Sequence, residues 1–211
     1  MAVSVFRPMS TRPPLILGTT NAGKLRELAD LLAPHGIPCR SLAGLADAVI
    51  VEETGTTFAE NAALKASAQA RALATWVLAE DSGLVVDALG GAPGVYSARF
   101  SGADATDAAN NALLLERLAA HPHAARTAHY ACHAALADPS GRIVAVANGT
   151  CGGLIATSPA GAGGFGYDPL FIVPEYHRTF GELAPAVKAL ISHRGRAMRA
   201  LLPAIVRLLP Q

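Results

Sequence analysis

Two adjacent carboxylates, Glu80 and Asp81, combine residue type and spacing in a way that suits chemistry. They open the stretch EDSGLVVDALGGAPGVYSARF and follow the apolar run TWVLA. The run predicts a buried strand, and Ser82 with Gly83 predicts a turn that ends it, so both acids are expected at a strand end. Neighbouring acids at such an end can converge on a hard cation. The alternative is an Asp-Ser-Gly turn whose acids are merely solvated.

A second chemical signal is the turn GTTNAGKL at residues 18–25, between a short apolar run and a segment of helical periodicity. Backbone N–H groups at a helix N-terminus, the positive end of the helix dipole and Lys24 together suit a phosphate chain. The turn fails to match a P-loop because Leu25 stands where a Ser or Thr hydroxyl would hold magnesium. This mismatch argues against a P-loop kinase, which is one alternative. The other alternative is an ordinary strand-to-helix turn.

An alanine-rich helix with a capping box, Thr57 and Glu60, follows the acidic residues VEE. Lys65 lies one turn beyond Asn61, so both side chains can point to one face. Glu52 and Glu53 precede this helix and are candidates for a second metal carboxylate, and the alternative for them is a solvated acidic loop. For Lys65 the alternative is a solvated lysine.

The third signal is the glycine-rich segment GAGGFGYDPLFIV. Its G-x-G-x-x-G spacing matches the dinucleotide-binding motif but does not indicate that fold, because an apolar strand follows where a helix is required. Phe165 and Tyr167 can stack on a base, and Asp168 can accept a hydrogen bond from a purine. Further on, Ser192, His193 and Arg194 break an apolar helical pattern, and these polar residues can cap the last helix and present two donors. For Phe165 and Tyr167, the alternative is a pair of core aromatic residues beside a turn.

The elements that must position these residues follow an α/β order. We predict strands at 15–17, 47–53 and up to Ala79, a β-hairpin at 121–155, a strand after Asp168, helices from 24, 58 and 104, and an interrupted helix pair at the end. His129 and His133 share a strand face in the hairpin and are interpreted as sheet-surface histidines.

Composition restricts the classes of protein that fit. The chain has 211 residues, 51% hydrophobic and 16% charged, with a net charge of +1 and no cluster of Lys or Arg, which argues against a duplex nucleic-acid binder. Three distant cysteines argue against a disulfide framework and indicate a reducing cytoplasm. No apolar run reaches the length that a bilayer demands, and residues 1–14 are predicted to be a loose tail without a signal-peptide core.

Five segments, TTNAGKLREL, TFAENAALKA, EDSGLVVDALGGAPGVYSARFSG, GGFGYDPLF and ISHRGRA, together resemble the inosine/xanthosine triphosphate pyrophosphatase family, the non-standard purine NTP pyrophosphatases. The resemblance spans residues 15–211 as a single domain. It implies an elongated α/β fold with a mixed twisted sheet flanked by helices, two lobes and a central nucleotide cleft. It further implies a magnesium-dependent, cytoplasmic homodimer that hydrolyses dITP, ITP, XTP and dXTP to the monophosphate and pyrophosphate.

The resemblance also assigns site residues. Asp81 is the catalytic acid, and Asp81, Glu80 and Glu53 share the metal. The substrate contacts that it implies are Thr19, Thr20, Asn21, Ala22, Gly23, Lys24 and Lys65 for the phosphates, Ser82, and Phe165, Gly166, Tyr167, Asp168, Lys188, His193 and Arg194 for the base. Two positions depart from the family pattern: Thr20 replaces a common Gly, and Glu80 stands where Asp is usual.

A nucleotide-binding sensor with the same pocket and no turnover is the alternative from a different class. Asp81 discriminates between the two, because binding alone does not require an acid beside a polyanion that repels it.

Overall fold

A mixed β-sheet of seven strands, in the order β2-β1-β3-β4-β5-β6-β7, forms the centre of the described structure. The structure is a computed structural model that describes residues 13–121 and 123–209, so the predicted loose tail lies outside the described residues except for its last two prolines. The strands are β1 (Leu15–Leu17), β2 (Cys39–Ser41), β3 (Val77–Val86), β4 (Thr127–Ala137), β5 (Ile143–Ile155), β6 (Phe171–Val173) and β7 (Arg178–Thr179). The pairs of β1 with β2 and β3 are parallel, and the other pairs are antiparallel.

Helices flank this sheet, which confirms the predicted α/β class with a mixed sheet. They are α1 (Ala22–Leu32), α2 (Phe58–Leu73), α3 (Asp107–Ala119), α4 (Pro185–Ile191) and α5 (His193–Leu208). The capping signals of α2 and α5 are confirmed, because Thr57 and Glu60 form both bonds of a capping box and Ser192 caps α5. Helix α1 begins at Ala22 and α3 at Asp107, whereas the predicted starts were 24 and 104. Across the described ranges, no helix combines the length and apolarity needed to cross a membrane.

The two acids do not stand at a strand end, so that prediction was wrong. Strand β3 continues through Ser82 and Gly83 to Val86, because β4 pairs with it residue for residue along its whole length. The parallel neighbour β1 is shorter and reaches only as far as Leu78 in register. Glu80 and Asp81 therefore lie in the middle of β3, just beyond the end of β1.

The predicted strand at 47–53 was also wrong, and the second strand is β2 instead. The side chain of Gln69 explains the difference, since its Oε1 accepts from the backbone N–H of Val49 at 3.2 Å and its Nε2 donates to the carbonyl of Val49 at 2.5 Å. At Val49 a side chain thus satisfies both backbone groups without a neighbouring strand.

The apolar core is divided along β3. Near its start, Leu78 packs with α1 and α5 on one face, while Val77 and Ala79 pack with α2 on the other. Beyond the acids, Leu84 and Val86 belong to a third cluster with α3 and β6. Residues 80–83 lie between these clusters, which leaves room for a polar site across the middle of the sheet. The proposed division into two lobes stays a prediction.

Candidate functional site

A cavity of about 320 Å³ opens where residues 80–83 separate the apolar clusters. This volume is within the range of small-molecule sites. Predicted site residues from distant parts of the chain line it together: Asn21, Lys24, Glu53, Asp81, Ser82, Phe165, Gly166, Tyr167, Asp168, Lys188, His193 and Arg194.

The predicted phosphate loop lies between β1 and α1. Asn21 is the N-cap of α1, and its Oδ1 accepts from the backbone N–H of Lys24 at 3.0 Å. By helix geometry, the N–H groups of Ala22 and Gly23 have no acceptor within the helix, so they are available to a ligand. Glycine is required at position 23 because a Cβ there would lie 2.5 Å from Cδ1 of Phe165. Thr19 accepts from the N–H of Asn21 at 3.2 Å, and this contact shapes the loop.

On the face of β3 that is covered by α2, Lys65 connects two carboxylates. Its Nζ lies 2.8 Å from Oε1 of Glu53 and 2.9 Å from Oδ1 of Asp81. Asn61, one turn earlier on α2, donates to Oδ2 of Asp81 at 3.3 Å. Burial alone would lower the pKa of Lys65, but Asp81 and Glu53 outweigh this effect and raise the pKa, so the ammonium is charged.

Glu80 points to the opposite face of β3 and is 1% exposed. Its Oε1 accepts from Nε of Arg194 at 3.0 Å and lies 2.9 Å from Nη2 of Arg194 and 3.5 Å from Nζ of Lys24. Burial alone would raise the pKa of Glu80, but Arg194, Lys24 and Lys65 outweigh it and lower the pKa well below its usual range. These contacts argue against the predicted role of Glu80 as a metal ligand.

A chain of ion pairs and hydrogen bonds continues from Arg194. Its Nη1 donates to Glu27 at 2.5 Å, and its Nη2 donates to Oγ of Ser82 at 2.9 Å. Glu27 also accepts from Lys188 at 2.7 Å, and Lys188 in turn contacts the carboxylate of Asp168. The guanidinium of Arg194 is therefore engaged by protein groups and is not simply presented to a base.

Glu27 was missed in the sequence. The available signal was its position three residues after Lys24 on α1, which places both side chains on neighbouring parts of one helix face.

His193 is 3% exposed and stacks on Tyr130, with ring centroids 4.6 Å apart and planes 9° apart. Burial, together with the charge of Arg194, holds the pKa of His193 well below its usual range, so its ring is neutral at pH 7. Its Nδ1 is buried and has no hydrogen-bond partner among the described residues. Tyr130 lines the cavity and was also missed, because the register of β4 against β3 is not readable from the sequence.

In residues 13–121 and 123–209, no three His, Cys, Asp or Glu side chains come together in a way that could hold a metal ion. Glu53 and Asp81 are the two carboxylates that both line the cavity and converge on one cation, the ammonium of Lys65.

The charge network predicts acid sensitivity. In the folded protein, nearby cations outweigh burial and lower the pKa values of Glu27, Glu53 and Glu80. The contribution of these carboxylates to the stability of the fold is therefore fully present above the unfolded pKa of about 4.3, and it is lost as the pH falls through their folded pKa values. We expect the free energy of unfolding, measured with urea, to decrease as the pH is lowered below about 4.3. Glu27→Gln should flatten this dependence, whereas the exposed control Glu175→Gln should keep the wild-type slope. An unchanged slope in Glu27→Gln would contradict the assignment.

Relatives of known name match most of the chain. The model of the Ham1 family matches residues 15–204. The chain is 52% identical over 194 residues to the dITP/XTP pyrophosphatase of Rhodopirellula baltica, covering 92% of this chain and 93% of that protein. It is 54% identical over 187 residues to the dITP/XTP pyrophosphatase of Geobacillus kaustophilus, covering 89% and 91%. The solved structure of a HAM1 protein from Coxiella burnetii superposes with a TM-score of 0.83 at 39% identity, covering 92% of this chain and 98% of that one.

Proposed function

The chain belongs to the Ham1 family, and from this premise we propose that it hydrolyses the non-standard purine nucleotides dITP, ITP, XTP and dXTP to the monophosphate and pyrophosphate. The observation that carries the proposal is the cavity itself, which combines a helix N-terminus with Lys24, the acid Asp81 and the aromatic segment of Phe165 and Tyr167. These three parts suit the triphosphate, the attacking water and the base respectively. By clearing such nucleotides, the enzyme would protect the nucleotide pool.

The proposed reaction is attack of water at the α-phosphorus. Asp81 accepts the proton of the water, and its position is fixed by hydrogen bonds from Lys65 and Asn61. Lys24 and Lys65, with the N–H groups that begin α1, stabilise the negative charge of the leaving pyrophosphate. Most of the rate enhancement is thus assigned to fixed charges and dipoles.

The residues present fit a magnesium ion. Mg²⁺ is usually held by one or two carboxylates together with substrate phosphates and water, so the pair Glu53 and Asp81 would be enough. Both carboxylates line the cavity, and both lie within 3 Å of the same ammonium nitrogen, that of Lys65. When bound, Mg²⁺ supplies Lewis-acid neutralisation of charge at the phosphate oxygens. Glu80 is left out of this set because Arg194 and Lys24 occupy its Oε1.

Base selectivity is assigned to the far end of the cavity. ITP and XTP carry a 6-oxo acceptor where ATP carries an amino donor, so donors on Lys188, His193 and Arg194, which all line the cavity, pair with the first group and not with the second. Phe165 and Tyr167 supply the flat apolar surface. A site that must hydrogen-bond its substrate discriminates by roughly 10⁴, so ATP is expected to be a very poor substrate.

Lys24→Ala should weaken the binding of ITP by about tenfold or more while changing the binding of IMP little, since the lysine addresses phosphates that leave as pyrophosphate. Isothermal titration calorimetry measures both affinities in proteins that also carry Asp81→Asn, so that ITP is not hydrolysed during the titration. Arg26→Ala, two residues further on α1, is the control for loss of a nearby positive charge. Equal losses for ITP and IMP would contradict the role of Lys24 at the phosphates.

The proposed function is tested by measuring pyrophosphate release from ITP, XTP, dITP, GTP and ATP by the purified chain, with Mg²⁺ and with EDTA. We expect kcat/KM for ITP and XTP to exceed that for ATP by roughly 10⁴, and turnover to require Mg²⁺. Tight binding without pyrophosphate release would favour the nucleotide sensor and overturn the proposal.

We also propose a homodimer located in the cytoplasm. Large apolar side chains on the surface are compatible with a partner: Ile50 is 99% exposed, Val146 is 70% exposed and Leu190 is 66% exposed. Analytical ultracentrifugation at micromolar concentration tests the assembly, and a monomer would contradict it.

A further inference from the structure

The start of α3 contacts the loop that carries Phe165 and Tyr167. We name residues 163–168 the aromatic loop. Oδ2 of Asp107 accepts from the backbone N–H of Gly166 at 2.7 Å, and Nδ2 of Asn111 donates to the carbonyl of Gly166 at 3.0 Å. The N–H belongs to the peptide between residues 165 and 166, and the carbonyl to the peptide between residues 166 and 167. The helix therefore holds both peptides that flank Gly166. One of these peptides joins Gly166 to Phe165, and the other joins it to Tyr167.

The same helix holds the opposite wall of the cavity. Nδ2 of Asn110 donates to the carbonyls of Ser97 and Ala98 at 3.4 and 3.3 Å, and its Oδ1 accepts from the backbone N–H of Ser101 at 2.8 Å. The hydroxyl of Tyr167 donates to the carbonyl of Ser97 at 2.8 Å, which joins this wall to the aromatic loop. Three side chains within residues 107–111 thus connect both walls.

The aromatic loop has a hydrogen bond of its own from the N–H of Phe165 to Oδ2 of Asp168 at 2.8 Å, but the backbone groups of Gly166 are bonded by α3. Gly166 has φ of +60°, a backbone conformation that most residues avoid and that glycine leaves easily. A charged acceptor such as Asp107 forms a stronger hydrogen bond to an N–H than a neutral one does. The ring of Phe165 lies between Gly23 and the ammonium of Lys188, which is 4.8 Å from the ring centroid, so a small change in the peptide moves it relative to both.

We propose that Asp107 and Asn111 are positioning residues that determine nucleobase selectivity by fixing the two peptides of Gly166. They act through the placement of Phe165 beside the ammonium of Lys188, one of the donors assigned to the base, and not through the phosphates, so their loss affects base binding more than the chemical step. This inference rests on the proposed hydrolysis of purine triphosphates and names the part of the chain that sets its selectivity.

The test compares Asp107→Ala, Asp107→Asn and Asn111→Asp with the wild type in steady-state hydrolysis of ITP and ATP. Asp107→Ala should raise KM for ITP about tenfold, narrow the ITP-to-ATP ratio of kcat/KM by a similar factor, and change kcat less than about twofold. Asp107→Asn keeps an acceptor oxygen and should restore most of the selectivity. Asn111→Asp turns a donor into an acceptor that faces a carbonyl, so it should reproduce the effect of Asp107→Ala. Asp104→Ala, an exposed acid just before the helix, is the control.

Turnover of ITP by the wild type in the same series separates the positioning role of Asp107 and Asn111 from the proposed function. If the wild type hydrolyses ITP and the variants keep its KM and its ITP-to-ATP ratio, with changes only in melting temperature, the positioning role is overturned and the proposed function stands. If the wild type does not release pyrophosphate from ITP, the proposed function fails, and the inference fails with it.

Discussion

Asp81→Asn is expected to reduce kcat for ITP by about 10³-fold or more while leaving the fold and much of the nucleotide affinity intact. The reason is that the amide cannot accept the proton of water and is a poor ligand for Mg²⁺, whereas the N-terminus of α1 and Lys24 are unchanged. Steady-state kinetics and calorimetric titration of ITP measure the two quantities in one preparation.

Asp47→Asn, an exposed acid outside the cavity, controls for the loss of a negative charge. Activity within about tenfold of wild type in Asp81→Asn would remove Asp81 from the reaction, because a positioned general base contributes about 10²-fold or more.

Arg194→Ala is expected to lower the free energy of unfolding by about 3–5 kcal/mol, because it leaves the buried carboxylate of Glu80 without its main partner. Arg194 lines the cavity and also contacts Glu80, Glu27 and Ser82, so its loss is expected to reduce stability in addition to the proposed base recognition. Urea denaturation followed by circular dichroism measures the loss, and a drop in melting temperature of about 10 °C should accompany it.

Arg196→Ala, two residues later on α5 and exposed, is the matched control and should stay within about 0.5 kcal/mol of wild type. If both variants unfold at the same urea concentration as the wild type, the buried network does not stabilise the fold.

The capped starts of α2 and α5 and the β4–β5 hairpin could be predicted from the sequence because their causes are local. The capping box of Thr57 and Glu60, the N-cap Ser192 and the apolar alternation of the β4–β5 hairpin each depend on residues a few positions apart. The same locality explains why Lys65 and Asn61 were correctly placed on one helix face, where both now contact Asp81.

Features that depend on pairing between distant segments could not be predicted. Ser82 and Gly83 favour a turn locally, but pairing with β4 keeps them in a strand. Glu80 and Asp81 point to opposite faces of β3, so their partners come from α5 and α2 respectively, which no spacing in the sequence reveals. The polar residues at the start of α3 look like an ordinary solvated helix face until Gly166 is placed beside them.

The position of the new oxygen atom tests the proposed reaction most directly. Hydrolysis of ITP by the wild type in H₂¹⁸O, followed by mass spectrometry of both products, locates the phosphorus that water attacks. Attack at the α-phosphorus beside Asp81 predicts one ¹⁸O atom in the monophosphate and none in the pyrophosphate. Label in the pyrophosphate, or release of labelled inorganic phosphate and a nucleoside diphosphate, would contradict it.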